Sequence, residues 1–519
     1  MLRQTSTESG LVRGVAGNNA RITVYKGIPF AADTSGENRW RAPQPVEPWE
    51  GVRDCYVFPP ITMQKTPGED REAFYSKEWH VEPEIAMSED SLALNIWTPA
   101  NSTEDRLPVY VWIFGGGLTE GYSHEMEFDG EHMASRGVVV VSVAYRLNVF
   151  GFLAHPDLTR DQPDAPANFG YLDQKAGLEW VKRNIANFGG DPENITIGGQ
   201  SAGGLSVMAL MASPTTEGLF QKATIQSSSG GCFPAVYPPC FFGPYRSLEE
   251  CEKQGAAFLK EYLGCDTIAE ARKLDAFFIR DKFVEYMTKT FRRFVQCVDG
   301  KFLPKDPTDY LIHDEIHRVP FLTGYTTDEV NFYPEGDTLE ELVDWGNRKL
   351  NGHGREYIDT AIRAAGSTDV EAVRKAARIN INEVSNYMIG NLFEAQGRPV
   401  YTYQFNPSMP GDDAGSFHSS DLWFSFETLA SCWRPFDGHH YDVARFMCNY
   451  WTNFIKNGNP NGKDADGTDM PYWPQYKDGH RNMNFFDEVR LSEPGPDAVT
   501  DFVVKVNYDP YFKKTEKEG

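Results

Sequence analysis

Gly199-Gln200-Ser201-Ala202-Gly203 decides how this chain is read, because of what stands on either side of it. Ile195-Thr196-Ile197-Gly198 before it is a short β-branched run, and Leu205 to Met211 after it has the character of a helix. A serine hydroxyl is a weak nucleophile until a strained turn presents it beside a base and a set of amide donors. The G-x-S-x-G pattern supplies that turn when a strand enters and a helix leaves, its glycines letting neighbours pack close to the bend. Both flanks are present here, which separates the stretch from a chance match; the plain alternative is a strand-to-helix turn with an incidental serine. Ser201 is the candidate nucleophile, and the N–H of Ala202 a candidate donor to a developing oxyanion.

Upstream, an apolar strand over 108–114 ends in Phe114-Gly115-Gly116-Gly117. Glycines after a buried strand leave backbone N–H groups open to approach, so Gly116 and Gly117 join Ala202 as a three-donor hole. A phosphate cradle would read similarly, but no G-K-[ST] follows. Further strands are expected over 138–144, 195–197, 319–323 and 400–405, and helices over 170–187, 202–211 and 442–456. Short β-branched runs alternating with helical periods predict a mainly parallel sheet flanked by helices. The stretches 61–88 and 232–300 match neither period and are expected to form lid or cap excursions. No repeat or linker interrupts the chain, so 1–519 reads as one domain with excursions near 61–90 and 232–300.

Bulk properties narrow the partners. Of 519 residues, 40% are hydrophobic and 13% aromatic, enough for a large core and too much for disorder. A formal net charge of −24 repels nucleic acid and anionic membranes, so neither is expected as a partner. The longest apolar run, 137–144, is far short of the roughly 20 residues that span a bilayer. The N-terminal residues lack the apolar stretch of a secretory signal. Eight cysteines lie scattered without a C-x-x-C pair. A reduced, cytoplasmic protein is the expectation, with a signal removed beforehand left open.

The chain resembles the type-B carboxylesterase family, which includes cholinesterases, fungal lipases and bacterial para-nitrobenzyl esterases. The likeness starts at Tyr25-Lys26-Gly27-Ile28-Pro29-Phe30-Ala31 and continues through Glu89-Asp90-Ser91-Leu92-Ala93-Leu94-Asn95-Ile96-Trp97 and Arg146-Leu147-Asn148-Val149-Phe150-Gly151. It is densest from Asn168-Phe169-Gly170-Tyr171-Leu172-Asp173-Gln174 through Phe188-Gly189-Gly190-Asp191-Pro192 to Ser201, and returns at Tyr450-Trp451-Thr452-Asn453-Phe454 and Gly458-Asn459-Pro460-Asn461. The resemblance implies an α/β-hydrolase fold and a triad in the order serine, acid, histidine. Gly324-Tyr325-Thr326-Thr327-Asp328-Glu329-Val330 resembles the family's acid loop, making Glu329 the acid and Asp328 its competitor; Val330 stands where the family usually has glycine. Gly415-Ser416-Phe417-His418-Ser419-Ser420-Asp421 resembles the histidine loop, making His418 the general base. His439-His440 is the nearby rival and lacks that context. Ser227, in Gln226-Ser227-Ser228, resembles a buried serine behind the triad, although a serine closing a strand end reads nearly as well. Gln200 stands where many relatives carry Glu, and the missing charge implies a modest effect on the pH profile.

The same resemblance implies carboxylic ester hydrolysis through an acyl-enzyme, with no metal or organic cofactor and a small-molecule ester as substrate. Pocket walls are expected from Leu118, Thr119, Tyr325, Trp423 and Phe424. Aromatic walls suit aryl or short- to medium-chain esters. The alternatives are a lipase on longer acyl esters with 65–90 as lid, or a binding module of the same fold. The charges Glu69, Asp70, Arg71, Glu72, Lys77 and Glu78 in that lid argue against the lipase. A zinc hydrolase is the rival from another class, because His313 and His317 are spaced i and i+4; Asp314 takes the place of the general base, and no third ligand is evident. Secreted relatives close a loop with a disulfide at positions that correspond to Thr62 and Ser91. Cys265 resembles half of a second family bridge whose partner is absent, which leaves Cys232 with Cys240, or Cys251 with Cys265, as open pairings. Oligomeric state is open.

Overall fold

The computed structural model describes residues 1–79, 83–228, 245–464 and 467–512. Eleven strands form its central sheet, numbered here in chain order: β1 (Val15–Ala16), β2 (Thr23–Pro29), β3 (Ala93–Thr98), β4 (Leu107–Ile113), β5 (Val139–Val143), β6 (Gly190–Gln200), β7 (Lys222–Gln226), β8 (Phe321–Thr326), β9 (Val400–Phe405), β10 (Met483–Phe485) and β11 (Val489–Leu491). Their order across the sheet is β11-β10-β9-β8-β7-β6-β4-β5-β3-β2-β1. From β5 to β10 every neighbouring pair is parallel, and only the two edges turn antiparallel. The parallel strands read as continuous apolar runs because helices cover both faces, leaving β5 (Val-Val-Val-Ser-Val) fully buried.

Six helices bear on the site: α1 (Phe74–Glu78), α2 (Phe169–Asn184), α3 (Ala202–Ala212), α4 (Ile381–Ala395), α5 (Leu422–Ser425) and α6 (Gly438–Asn457). The fold is the α/β-hydrolase fold expected from the sequence, with shifted boundaries. β6 begins at Gly190 because its turn-like start, Gly-Asp-Pro-Glu-Asn, pairs with β4 through Leu107. α6 starts four residues before the expected 442, at a cap formed by Asp437. The described part of 232–300 is largely helical, with Leu248–Phe258 and Ala276–Thr290. Ile279, Phe283 and Tyr286 bury one face of the second helix, while Phe277 and Phe278 lie on its solvent side and blur the period. Cys232 and Cys240 lie outside the described residues. Cys251 and Cys265 are both unpaired, and Cys251 instead packs in a small apolar cluster with Cys297, Ala154 and Ala167.

Two buried ion pairs lock loops at the carboxyl side of the sheet. Arg146, just past β5, meets Asp173 of α2 at 2.7 Å with side chains 4% and 0% exposed. Arg39 meets Glu89 at 2.6 Å and also donates to the carbonyls of Ala271, Arg272 and Leu274. The excursion after Ile61 is pinched at its base, where Ile61 bridges Met87 and the Thr62 and Ser91 hydroxyls lie 3.0 Å apart. No helix among the described residues is long and apolar enough to cross a membrane.

Candidate active site

The elbow follows from close packing. Ser201 sits between β6 and α3 with φ 54° and ψ −126°, a strained backbone for a residue with a side chain. A Cβ on Gly203 would lie 2.1 Å from the Ile113 carbonyl oxygen, and one on Gly199 would lie 2.4 Å from Gly203, so only glycine fits on either side. The bend is held by Ser201 N–H donating to the Gln226 carbonyl at 3.0 Å.

β4 delivers Gly115 to Gly117 against this elbow. A Cβ on Gly115 would approach Gln200 O to 2.8 Å, and one on Gly116 (φ 98°) would meet Glu120 O at 2.0 Å. Among the described residues the N–H groups of Gly116, Gly117 and Ala202 have no acceptor, and Ala202 opens α3, where the helix dipole favours negative charge.

The acid and histidine loops leave adjacent parallel strands, β8 and β9. His418 Nδ1 makes a short contact to Glu329 Oε2, whose other oxygen accepts from Thr326 N at 3.0 Å. Glu329 is fully buried, whereas the His418 side chain is 25% exposed. Asp328 points away: it is exposed and accepts from Ser416 N at 2.8 Å, tying the two loops together. Val330, where the family favours glycine, has φ 32°, a left-handed backbone that a β-branched residue rarely adopts. Burial works against a charged His418, but the bond and charge of Glu329, with Asp421 behind, outweigh it and raise the imidazole above its ordinary value. On the far side of the ring, His418 Nε2 lies 3.2 Å from Gln200 Nε2, and no hydrogen bond joins it to Ser201 among the described residues.

Asp421 belongs to the histidine loop, yet nothing in the sequence gives it a role. It is fully buried, accepts from Tyr403 Oη at 2.6 Å and Gln226 Nε2 at 3.0 Å, and is pushed by burial up to about 6. Its only signal in the sequence is an acid three residues after the histidine. Ser227 lies on the turn after β7 with φ 50°, its buried hydroxyl unpartnered among the described residues.

The expected walls differ. Leu118, Tyr325, Trp423 and Phe424 are all fully buried and Thr119 is 8% exposed, so these side chains pack into the core rather than face an opening. Trp423 donates to Glu78, and Phe424 packs on Phe405 and Phe436, because α5 turns both inward. The aromatic surface at His418 comes instead from Phe74 and Tyr75 of α1, 40% and 37% exposed. The i, i+4 histidines share no site: the helix stops at Ile312, His313 meets the Asp309 carbonyl, and His317 meets the Ser213 carbonyl and Thr216. Among the described residues the one group spaced to hold a metal is Asp437, His439 and His440, at the start of α6, where His440 Nε2 meets the Ser408 carbonyl at 2.8 Å.

Sheet topology and elbow together define an α/β-hydrolase. More closely, the chain belongs to the carboxylesterase family, whose model matches residues 2–491, and it is a carboxylic ester hydrolase. It is 31% identical to carboxylesterase 1F of Mus musculus, over 96% of this chain and 93% of that protein. It is 32% identical to the medium-chain fatty acyl-CoA hydrolase precursor of Anas platyrhynchos, over 91% of this chain and 86% of the other. Among solved structures, a carboxylesterase of Geobacillus stearothermophilus at pH 6.2 superposes with a TM-score of 0.76 at 30% identity, covering 96% of this chain and 99% of that one.

Proposed function

We propose that Ser201, His418 and Glu329 act as nucleophile, general base and orienting acid in a two-step acyl transfer on short- to medium-chain or aryl esters. The observation that carries this is His418 spanning two loops, with Nδ1 on the buried Glu329 and Nε2 turned toward the residue beside Ser201. Nδ1–H donating to Glu329 leaves the Nε2 lone pair as the base. The Gln200 amide must yield that lone pair to Ser201, a tightening typical of substrate-bound sites. Ser201 Oγ then bonds to the carbonyl carbon as its proton passes to Nε2, with the oxyanion held by the N–H groups of Gly116, Gly117 and Ala202. The C–O bond to the alcohol breaks, Nε2–H protonates the leaving oxygen, and water activated by the same nitrogen releases the acid. Ser227, Gln200 and Asp421 form the polar backing of the triad.

Phe74 and Tyr75 beside His418 favour an aryl or compact acyl group. The medium-chain acyl-CoA hydrolase among the relatives extends that class to thioesters. We place the enzyme in a reducing, cytoplasmic setting, acting as one catalytic unit without nucleic acid or membrane partner; the six unpaired cysteines among the described residues and the net charge of −24 support this. The test is hydrolysis of para-nitrophenyl esters from acetyl to palmitoyl by the wild type and Ser201→Ala. A peak at short to medium chains that falls at least about 10³-fold in the variant is expected. Undiminished turnover in Ser201→Ala removes the nucleophile, and a peak at palmitoyl removes the substrate class.

A further inference from the structure

The excursion whose base is the Ile61–Met87 bridge carries α1, and α1 is fastened at its start to the histidine loop and at its end to residues that flank that loop. At its start, Tyr75 Oη donates to the His418 carbonyl at 3.1 Å, and the same hydroxyl reaches the Ser419 side chain. Phe74 packs edge-on against Phe417, the residue before the base, with ring centres 4.8 Å apart. At its end, Glu78 is buried, its side chain 1% exposed, facing an Arg434 that is 0% exposed. Glu78 accepts from Arg434 Nε (3.0 Å to each oxygen), Trp433 Nε1 (2.9 Å) and Trp423 Nε1 (3.1 Å). Arg434 in turn reaches Asp412 at 2.8 Å and lies 5.0 Å from the Phe417 ring centre.

A buried carboxylate is tolerated only when cation and donors satisfy it together, and removing one partner leaves the other stranded. This carboxylate is satisfied, and its partners are neither surface groups nor neighbours in sequence. They fall on Trp423, five residues after the base, and on an arginine that stacks over the residue before it. A base must be held to a fraction of an ångström against both its acid and its nucleophile. The loop that carries His418 leaves β9 through Gly411 and Gly415, both at positive φ, and its backbone is tied to the acid loop at Ser416, two residues before the base.

We propose that α1 is the positioning element of the base: Tyr75, through the His418 carbonyl, and Glu78, through Arg434 and Trp423, hold the imidazole in register with Glu329 and Ser201. This rests on the reading of His418 as base. Both residues act through His418 and touch no reacting atom. The helix α1 is therefore a fixed strap over the histidine loop, and the carboxylate of Glu78 belongs to the interior.

The test is the pH dependence of kcat and KM for para-nitrophenyl acetate in Tyr75→Phe, Glu78→Gln and His418→Ala, each checked for folding by circular dichroism. For the first two, kcat falls about tenfold, as expected for a catalytic group slightly out of place. KM stays within about a factor of two, because Tyr75→Phe keeps the aromatic ring that would face substrate and Glu78 is buried away from it. The acid limb of kcat/KM moves down by about half a unit, because a loosened contact to Glu329 stabilises the imidazolium less while Asp421 still faces it. Wild-type kcat and an unmoved acid limb in folded Tyr75→Phe overturn the proposal, and so does a raised KM at unchanged kcat. If Glu78→Gln does not fold, Tyr75→Phe alone decides, since it removes a single oxygen from a residue that is 37% exposed. Retained turnover in His418→Ala would instead overturn the triad itself.

Discussion

Replacing Gln200 by glutamate puts a carboxylate where an amide now faces His418 Nε2 at 3.2 Å. At an effective dielectric constant of about 20, a unit charge pair at that spacing is worth about 5 kcal/mol. At about 1.4 kcal/mol per unit, that corresponds to nearly 4 pK units on the imidazole. Much of this is taken back. Position 200 is 3% exposed, so the new carboxylate loses its water, and it joins Glu329 and Asp421 in a region already rich in buried acid. A net rise of about one to two units remains. The sign follows from the charge: a carboxylate stabilises the imidazolium, His418 keeps its proton to higher pH, and the acid limb of kcat/KM moves up. The assay is kcat/KM for para-nitrophenyl acetate against pH, at low and high salt. A buried pair is screened little, so the shift should survive salt. An acid limb that stays in place or moves down would refute the reasoning, because either the Gln200–His418 contact is not kept in solution or His418 is not the titrating base. The charge missing from this position, a modest matter on the sequence alone, is made a strong lever by its distance.

The two acids of the 324–330 loop should separate cleanly. Glu329→Gln is expected to lower kcat by roughly 10²–10⁴-fold and Asp328→Asn by less than about tenfold, because only Glu329 touches the imidazole; steady-state kinetics on the two variants decides, and the reverse ranking would move the acid by one residue. A second effect concerns stability. Burial pushes Glu127 from 4.5 up to about 8, with Glu125 beside it. The unfolded chain loses this proton first, so its contribution is complete below pH 4.5 and is lost as pH rises through about 8. Glu127→Gln should remove part of that decline, with Glu125 keeping its own share; denaturant melts at both ends of the window should show the variant losing less stability than wild type.

What could be read in advance was whatever depends on near neighbours. The elbow at Ser201 was legible because strand, bend and helix are contiguous, and the parallel strands because their β-branched runs are buried on both faces. Arg146 and Asp173 stood out as motif residues, but that they form one buried ion pair depends on how the end of β5 meets α2. Glu78 read as one more lid charge beside Glu69, Asp70, Arg71, Glu72 and Lys77; its partner Arg434 is 356 positions away. Trp423 and Phe424 were placed as walls because they follow the histidine, and the single turn of α5 rotates them inward. Asp421 lay in plain view within the histidine loop, and only its burial against Tyr403 and Gln226 marks it as part of the site.

The hydroxyl pair of Thr62 and Ser91 sets the thermodynamic character of the strap. A covalent tie across their separation of 29 positions would restrict the denatured chain in advance, by about 4 kcal/mol of loop entropy. Two hydroxyls restrict nothing until the chain has folded. The order of α1 is thus wholly a product of the native state, without any covalent memory of it. A reductant has no bond there to open, and an unfolded molecule must find the strap afresh each time the core reassembles.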